Sequence, residues 1–154
     1  MSVLDRSPNA LHERVLLADG STVDIRRLDA GDARALTRLH RDLPLRDRWL
    51  RFATVSREGI EEYAAGAATG EQVWGAYLGA ELVGAVHLAV ADHDPEQAEV
   101  GLAVSHRMQA HGVGTALLER AVRESARRGV REWTAEVLAE NTAMRRVFAD
   151  LGLP

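Results

Sequence analysis

The chain has no cysteine among its 154 residues, so it can form no disulfide and offers no thiolate ligand or thiol nucleophile. It contains no apolar run long enough to span a bilayer, and residues 1–8 lack the apolar core of a signal peptide. Its formal net charge of -4 disfavours a general nucleic-acid-binding surface. These absences lead us to expect a cytoplasmic protein that binds neither nucleic acid nor membrane.

The rest of the composition is that of an ordinary globular domain. Hydrophobic residues make up 46% of the chain and charged residues 27%. The length suffices for one domain with its own core. No repeat, low-complexity tract or linker divides the sequence. We therefore expect a single domain over residues 1–154, with a loose N-terminal segment at 1–14.

Two turn signals predict antiparallel hairpins. An Asp-Gly pair at 19–20 precedes a stretch that alternates at period two over 22–28. A Gly-Ala pair at 79–80 separates apolar runs at 72–78 and 81–90. These hairpins supply antiparallel strands to a sheet.

A helix is predicted between the hairpins. A cap at Asp29 or Asp32 starts it, and Pro44 ends it. Its apolar positions recur at helical spacing and are Ala33, Leu36, Leu39 and Leu43.

The region 98–138 predicts a β-α-β unit. We expect a loop at 91–95 to lead to a strand at 98–104, and a second, parallel strand to lie at 133–138. The intervening helix has an apolar stripe made of Val113, Ala116, Leu117, Ala121, Val122 and Ala126. The predicted fold class is α/β, with a mixed, mostly antiparallel central sheet and flanking helices.

The most informative segment is the loop at 109–114, QAHGVG, between the first strand and the helix of this unit. A glycine-bearing turn there directs backbone N–H groups and the positive end of a helix dipole at one spot, which suits a phosphate. The dinucleotide fingerprint needs a third glycine in register, and the nucleotide-triphosphate loop needs a lysine. This loop has neither, and its pattern is Q-x-x-G-x-G.

That pattern resembles the coenzyme A pyrophosphate loop of the GNAT superfamily of N-acetyltransferases, R/Q-x-x-G-x-G/A. Three further blocks resemble the family in the same order. Residues 19–28 resemble its first strand, and residues 48–52 resemble a segment of its bacterial protein-lysine acetyltransferase branch. Residues 137–153 resemble the block with an asparagine after a strand and a closing Gly-hydrophobe pair. The resemblance covers roughly residues 16 to 154 and implies the GNAT fold, in which two parallel strands splay apart.

The resemblance implies N-acetyl transfer from acetyl-CoA to a primary amine, with a protein lysine side chain as the favoured acceptor. Two alternatives stay open: a small-molecule amine (a polyamine, an amino acid or an aminoglycoside) as acceptor, and a non-catalytic acyl-CoA-binding sensor module. No metal site is expected. The cofactor-binding residues that the resemblance implies are Leu102, Ala103, Val104, Gln109, Ala110, His111, Gly112, Val113, Gly114, Thr115 and Asn141.

Two glutamates are candidates for the general base that removes the proton of the amine. Glu99 shares one strand face with the small residues Gly101 and Ala103, which is unusual for a packed face and reasonable beside a cleft. Glu136 lies five residues before Asn141 (141 − 136 = 5), a position that other family members use. We favour Glu99, because the lysine-acetyltransferase branch uses that strand. The alternative for each is a glutamate at a strand edge, solvated or paired with an arginine.

The sequence departs from the family at two places. Phe148 occupies the position where members often carry a tyrosine that protonates the leaving thiolate, and a phenyl ring cannot donate a proton. The chain ends at Pro154, where the family usually continues with two more strands. We therefore expect a shortened sheet with an exposed edge, in a truncated chain or in one whose edge is covered by a partner subunit, such as a second copy in a homodimer.

Overall fold

The computed structural model describes residues 12–42, 72–109 and 111–134. Over these ranges the strands are β1 (His12–Leu16), β2 (Thr22–Arg27), β3 (Gln72–Leu78), β4 (Glu81–Ala91), β5 (Asp94–Val104) and β6 (Glu132–Thr134). The helices are α1 (Ala33–Arg41) and α2 (Val113–Arg127), and short 3-10 turns precede them at Ala30–Asp32 and His106–Met108.

The six strands form one sheet in chain order, from β1 to β6. Neighbours from β1 to β5 pair antiparallel, whereas β5 and β6 pair in parallel and are joined through α2. This mixed, mostly antiparallel sheet confirms the predicted fold class and the predicted β-α-β unit. The last described pair of the parallel strands is Glu99 with Thr134. The rest of the predicted strand, to 138, lies outside the described residues.

Helices cover both faces of the sheet. α2 packs against β3, β4 and β5, and we call this side the α2 face. α1 packs against β4 from the other side, the α1 face. The core of the α2 face includes Ile25, Val86, Leu88, Val100, Leu102, Leu117 and Leu118. The core of the α1 face consists of Leu28, Leu36, Leu39, Val73, Leu82 and Ala85.

Both predicted hairpins are confirmed. Gly20 and Gly79 take positive φ angles of 90° and 62° in their turns, a conformation that glycine adopts without a steric cost. The structure also decides between the two candidate cap residues of the predicted helix. Asp29 caps the 3-10 turn by accepting from the Gly31 amide at 2.8 Å, while Asp32 makes no side-chain cap to α1.

A charged cluster on the α1 face fixes the start of α1 on the sheet. Arg26 donates to both carboxylate oxygens of Asp32, at 3.0 and 2.6 Å, and the Tyr77 hydroxyl donates to the same carboxylate at 2.8 Å. The Arg26 guanidinium lowers the pKa of Asp32 to about 2. Burial, with the Asp32 carboxylate beside it, raises the pKa of Tyr77 to about 12. The cluster ties β2, β3 and the beginning of α1 together.

Two predicted boundaries are wrong. β1 begins at His12, inside the segment that we expected to be loose up to residue 14. Glu13 anchors this strand, because it accepts from Arg120 at 2.9 Å and from Arg123 at 2.8 Å, both on α2. β5 begins at Asp94 rather than at 98, because Ala91 pairs with Asp94 across a two-residue turn and leaves no loop at 91–95.

The apolar stripe of α2 also differs from the prediction at its end. Ala126 is exposed, whereas Leu118 and Ser125 are buried. The Ser125 hydroxyl donates to the Ala121 carbonyl and accepts from Trp133 Nε1, each at 2.8 Å. This polar contact fastens the end of α2 to β6, which an apolar periodicity does not reveal.

No helix within the described ranges is both long and apolar enough to cross a membrane.

Candidate active site

The loop between β5 and α2 turns on one glycine. Gly112 is the N-cap of α2 and takes φ 95° and ψ 0°, the left-handed conformation. A Cβ built on this residue would meet no atom within 4 Å, so the backbone conformation, rather than space, favours glycine here. The glycine of the 109–114 loop is therefore required by the backbone conformation at the start of α2.

The N-terminus of α2 is suited to an anion. The amide of Ala116 donates to the Gly112 carbonyl at 3.0 Å, which closes the first helical turn. The amides of Val113, Gly114 and Thr115 precede it and have no carbonyl within the helix to accept from them. The N-cap residue, Gly112, has no side chain that could cap these amides, and the first turn contains no acidic residue. The first turn of this 15-residue helix therefore offers no carboxylate to its own positive dipole end.

Side chains hold the loop in place from two directions. Gln109 Nε2 donates to the carbonyl of Val104, the last residue of β5, at 3.2 Å. His111 Nδ1 lies 2.8 Å from the Gln109 carbonyl, and its Nε2 lies 4.0 Å from a carboxylate oxygen of Asp19 in the β1–β2 turn. Hydrogen bonds from Ser21, and the nearby His111, hold the pKa of Asp19 below its usual value. The side chains of Gln109 and His111, two of the predicted cofactor-binding residues, thus contact the loop backbone and the neighbouring strand end and turn.

A second glycine, which the sequence analysis did not single out, sets the distance between α2 and the sheet. A Cβ added to Gly84 on β4 would lie 2.9 Å from Leu117 Cδ1 and 2.9 Å from Val113 Cγ1. Only a residue without a side chain lets the first turns of α2 approach β4 this closely. A glycine inside an otherwise apolar strand is the signal that could have identified it.

Strand β5 leads from the loop to the favoured base. Leu102 is buried under α2, and Ala103 is buried on the α1 face. Glu99 also lies on the α1 face, where its direct neighbours are Ala89 on β4 and Thr134 on β6. At about 3.3 Å per residue, Glu99 lies about 17 Å from Val104 along the strand.

Glu99 is exposed, as a carboxylate that serves a cleft should be. Its strand neighbours on the same face, Gly101 and Ala103, are small residues. The structure therefore places Glu99 and the α2 N-terminus at opposite ends of one strand segment. The other predicted site residues, Ala110, Glu136 and Asn141, lie outside the described residues, and so does Phe148.

Over the described ranges, no three His, Asp or Glu side chains come close enough together to hold a metal ion.

Comparison with known proteins decides the family. Residues 36–153 match the model of the acetyltransferase (GNAT) family. The chain belongs to the acetyltransferase (GNAT) family. No curated protein matches the chain in sequence. The GNAT assignment confirms the resemblance that the 109–114 loop and its neighbouring blocks indicated, and the acyl donor of this family is acetyl-CoA.

Solved GNAT structures share the fold of this chain. The GNAT domain of S. lividans PAT superposes with a TM-score of 0.79 at 27% identity, over 96% of this chain and 90% of that one. The yncA protein of Salmonella typhimurium, solved with its cofactor acetyl-CoA, has a TM-score of 0.64 at 22% identity, over 84% and 78% of the two chains.

A third solved structure with a similar fold contains a small-molecule substrate. The diaminobutyrate acetyltransferase EctA of Paenibacillus lautus, in complex with L-2,4-diaminobutyric acid and coenzyme A, has a TM-score of 0.65 at 24% identity. The alignment covers 86% of this chain and 75% of that one.

Proposed function

We propose that the protein transfers the acetyl group of acetyl-CoA to the side-chain amine of a lysine on a protein. The observation that carries this proposal is the arrangement along β5, with the N-terminus of α2 at one end and the exposed Glu99 at the other. The similarity to the GNAT domain of S. lividans PAT supports a protein lysine as the acceptor, because the residue 48–52 block resembles the same lysine-acetyltransferase branch.

The residues at the α2 N-terminus fit a pyrophosphate. The amides of Val113, Gly114 and Thr115, with the left-handed Gly112 before them, would hold its oxygens, and no nearby acidic side chain in the first turn opposes the negative charge. Acetyl-CoA supplies the acetyl group as a thioester when it is bound. The backbone of Leu102 to Val104 would pair with its pantetheine arm as an added strand does.

Glu99 performs the acid–base step in this proposal. Its carboxylate accepts one proton from the ammonium form of the acceptor, which leaves a neutral amine with a free lone pair. The amine nitrogen would then form the amide C–N bond as the thioester C–S bond breaks. Its surplus proton would pass to solvent, and the thiolate would take up one proton from solvent. Phe148 has no proton to give, and a thiol is acidic enough to leave as its thiolate near neutral pH.

The test is an acceptor panel with acetyl-CoA, read by release of free thiol and by mass spectrometry of the product. Lysine-bearing proteins and peptides form one arm, and polyamines, amino acids and aminoglycosides form the other. Acetylation on lysine side chains of the protein arm is the expected result. Turnover on small amines alone would instead support a small-molecule acetyltransferase, the function that the similarity to the EctA structure favours. Binding of acetyl-CoA without thiol release in either arm would indicate the sensor module.

The base is tested by replacing Glu99 with glutamine, which keeps the size of the side chain and removes its basicity. We expect turnover to fall by about 10²-fold or more, with the Kd of acetyl-CoA nearly unchanged, because the phosphate site is at the other end of the strand. Glu136→Gln is the matched control. A Glu99→Gln protein with undiminished turnover, beside an inactive Glu136→Gln protein, would transfer the role to Glu136.

A further inference from the structure

The turn between β1 and β2 contacts the loop that precedes α2. A carboxylate oxygen of Asp19 in this turn, Oδ2, lies 4.0 Å from His111 Nε2, and His111 directly precedes Gly112, the N-cap of α2. No other carboxylate in the described part of the chain lies within 4.0 Å of a ring nitrogen of His111. The first hairpin therefore contacts, through one side-chain pair, the segment that leads into the proposed phosphate site.

Hydrogen bonds within the turn fix the Asp19 carboxylate. Its Oδ1 accepts from the amide of Ser21 at 2.9 Å and from the hydroxyl of Ser21 at 2.5 Å. The Leu17 amide closes the turn by donating to the Ser21 carbonyl at 2.8 Å. The bonds from Ser21 hold the pKa of Asp19 below its usual value, so the carboxylate is ionised when it meets His111.

The hydrogen bond of the His111 imidazole defines where its protons lie. Nδ1 is 2.8 Å from the Gln109 carbonyl, and a carbonyl oxygen can only accept, so Nδ1 carries a proton. The neutral imidazole then has its lone pair on Nε2 and offers no donor to Asp19. The imidazolium has a second N–H at Nε2, which attracts the carboxylate. The contact between the turn and the loop therefore depends on a protonated His111.

Other charged groups around this contact are paired elsewhere or exposed. On β1, Glu13 accepts from two arginines of α2, and on β2 Asp24 pairs with an arginine of β1. Between β5 and the loop, Arg107 pairs with Glu81 at the start of β4, and His106 beside it is exposed. The first turn of α2 has no acidic residue. Among the described residues, the negative charge next to His111 is therefore that of Asp19.

We propose that Asp19 is a positioning residue for acetyl-CoA, whose carboxylate holds the protonated His111 and thereby the loop that presents the amides of Val113 to Thr115. The inference rests on the proposed pyrophosphate site at the N-terminus of α2. Because Gly112 follows His111 directly, the contact restrains the point at which the chain enters the left-handed conformation. The contact is present when the imidazole is protonated and is lost when it becomes neutral.

The binding test is the Kd of acetyl-CoA, measured by isothermal titration calorimetry on the full chain at about pH 5.5 and about pH 8.5, on either side of the range in which histidine changes charge. Asp19→Asn keeps an oxygen that can accept from Ser21 and removes the charge. At the lower pH we expect this variant to bind about threefold more weakly than the unaltered protein, the effect of an exposed ion pair. At the higher pH the two Kd values should agree.

Two further variants make the result specific. Asp24→Asn removes the same charge from β2 and should leave the Kd unchanged at both pH values. In a His111→Asn background, Asp19→Asn should cause no further loss, since its action passes through the imidazole. Equal weakening by Asp19→Asn at both pH values would show a purely structural role of the turn. Tighter binding at both would show that Asp19 only repels the phosphates, and either result overturns the inference.

Hydrogen exchange tests the contact without acetyl-CoA. The amide of Ala116 closes the first turn of α2 on the Gly112 carbonyl, so its protection reports on the loop. In Asp19→Asn at about pH 5.5 we expect this protection to fall about threefold, while that of Ala121 in the middle of the helix stays the same. Unchanged protection at Ala116 overturns the inference. An unaltered protein that binds no acetyl-CoA would overturn the proposed function, and exchange at Ala116 would still decide whether Asp19 holds the loop.

Discussion

Replacing Gly112 with alanine tests whether the left-handed backbone at the start of α2 builds the acetyl-CoA site. The φ of 95° costs an alanine about 1–2 kcal/mol, and the empty space around the added methyl adds no clash. Gly129, just beyond the other end of α2, offers a matched control. Its φ is 99°, and a Cβ there also meets nothing within 4 Å. The two substitutions therefore impose the same backbone strain at opposite ends of one helix.

The stability of the two variants should fall together. For a domain of this size 1 kcal/mol corresponds to about 2–4 °C, so each Tm should fall by about 2–8 °C. The stabilisation that acetyl-CoA provides should distinguish the two variants. At 100 times its Kd, the ligand stabilises the folded state by about 2.7 kcal/mol. We expect Gly112→Ala to bind about tenfold more weakly, because the relaxed loop turns its amides away from the phosphates. At the same ligand concentration, acetyl-CoA then stabilises folded Gly112→Ala by about 1.4 kcal/mol, which is half of the stabilisation in Gly129→Ala.

The assay is differential scanning fluorimetry with and without acetyl-CoA, with Kd from isothermal titration calorimetry. Gly112→Asn serves as the rescue, because asparagine enters the left-handed region more readily than alanine. Equal ligand-induced Tm shifts in Gly112→Ala and Gly129→Ala would show that the conformation of Gly112 does not matter to the phosphate site, and would refute the reasoning.

Two further predictions concern the packing that supports the site. Gly84→Ala places a methyl group 2.9 Å from Leu117 and Val113, and it should lower the free energy of unfolding by about 1–3 kcal/mol in urea titration. Combining it with Val113→Ala should cost less than the sum of the two single changes, and strict additivity would exclude the clash. Asp32→Asn should cost about 2 kcal/mol at pH 7, because it removes the carboxylate that receives Arg26 and Tyr77. Since the folded-state pKa of Asp32 is lowered from 3.8 to about 2, its contribution is complete above about pH 4 and is lost as the pH falls through about 2. The difference between the two proteins in urea unfolding should shrink over that window, and a constant difference from pH 7 to pH 2 would contradict this origin.

Much of the fold could be predicted because its signals are local. The Asp-Gly and Gly-Ala turns, with period-two strands beside them, determine two hairpins within about twenty residues each. The 109–114 loop could be identified because its turn needs a glycine, and Gly112 takes the left-handed conformation that glycine favours. The parallel pairing of β5 and β6 could be predicted because a helix separates the two apolar strands in the sequence.

The features that were missed depend on partners far apart in the chain. β1 extends to His12 because Glu13 meets Arg120, 107 residues later. The close approach of α2 to Gly84 on β4 can be recognised only in the folded structure, in which the helix packs against the sheet. The contact between Asp19 and His111 joins the β1–β2 turn to the loop before α2, two segments that are distant in the sequence.

The chain-order arrangement of the strands has a consequence for how the molecule acquires its shape. β3, β4 and β5 are joined by two-residue turns, so this meander forms from contacts that are close in sequence, whereas β6 reaches β5 only after α2 has crossed over. We expect high φ-values in the meander and low ones in β6 and the C-terminal half of α2. Glu99 would then take its position in the sheet early in folding, and the helix end that receives the phosphates would dock onto a strand pair already formed.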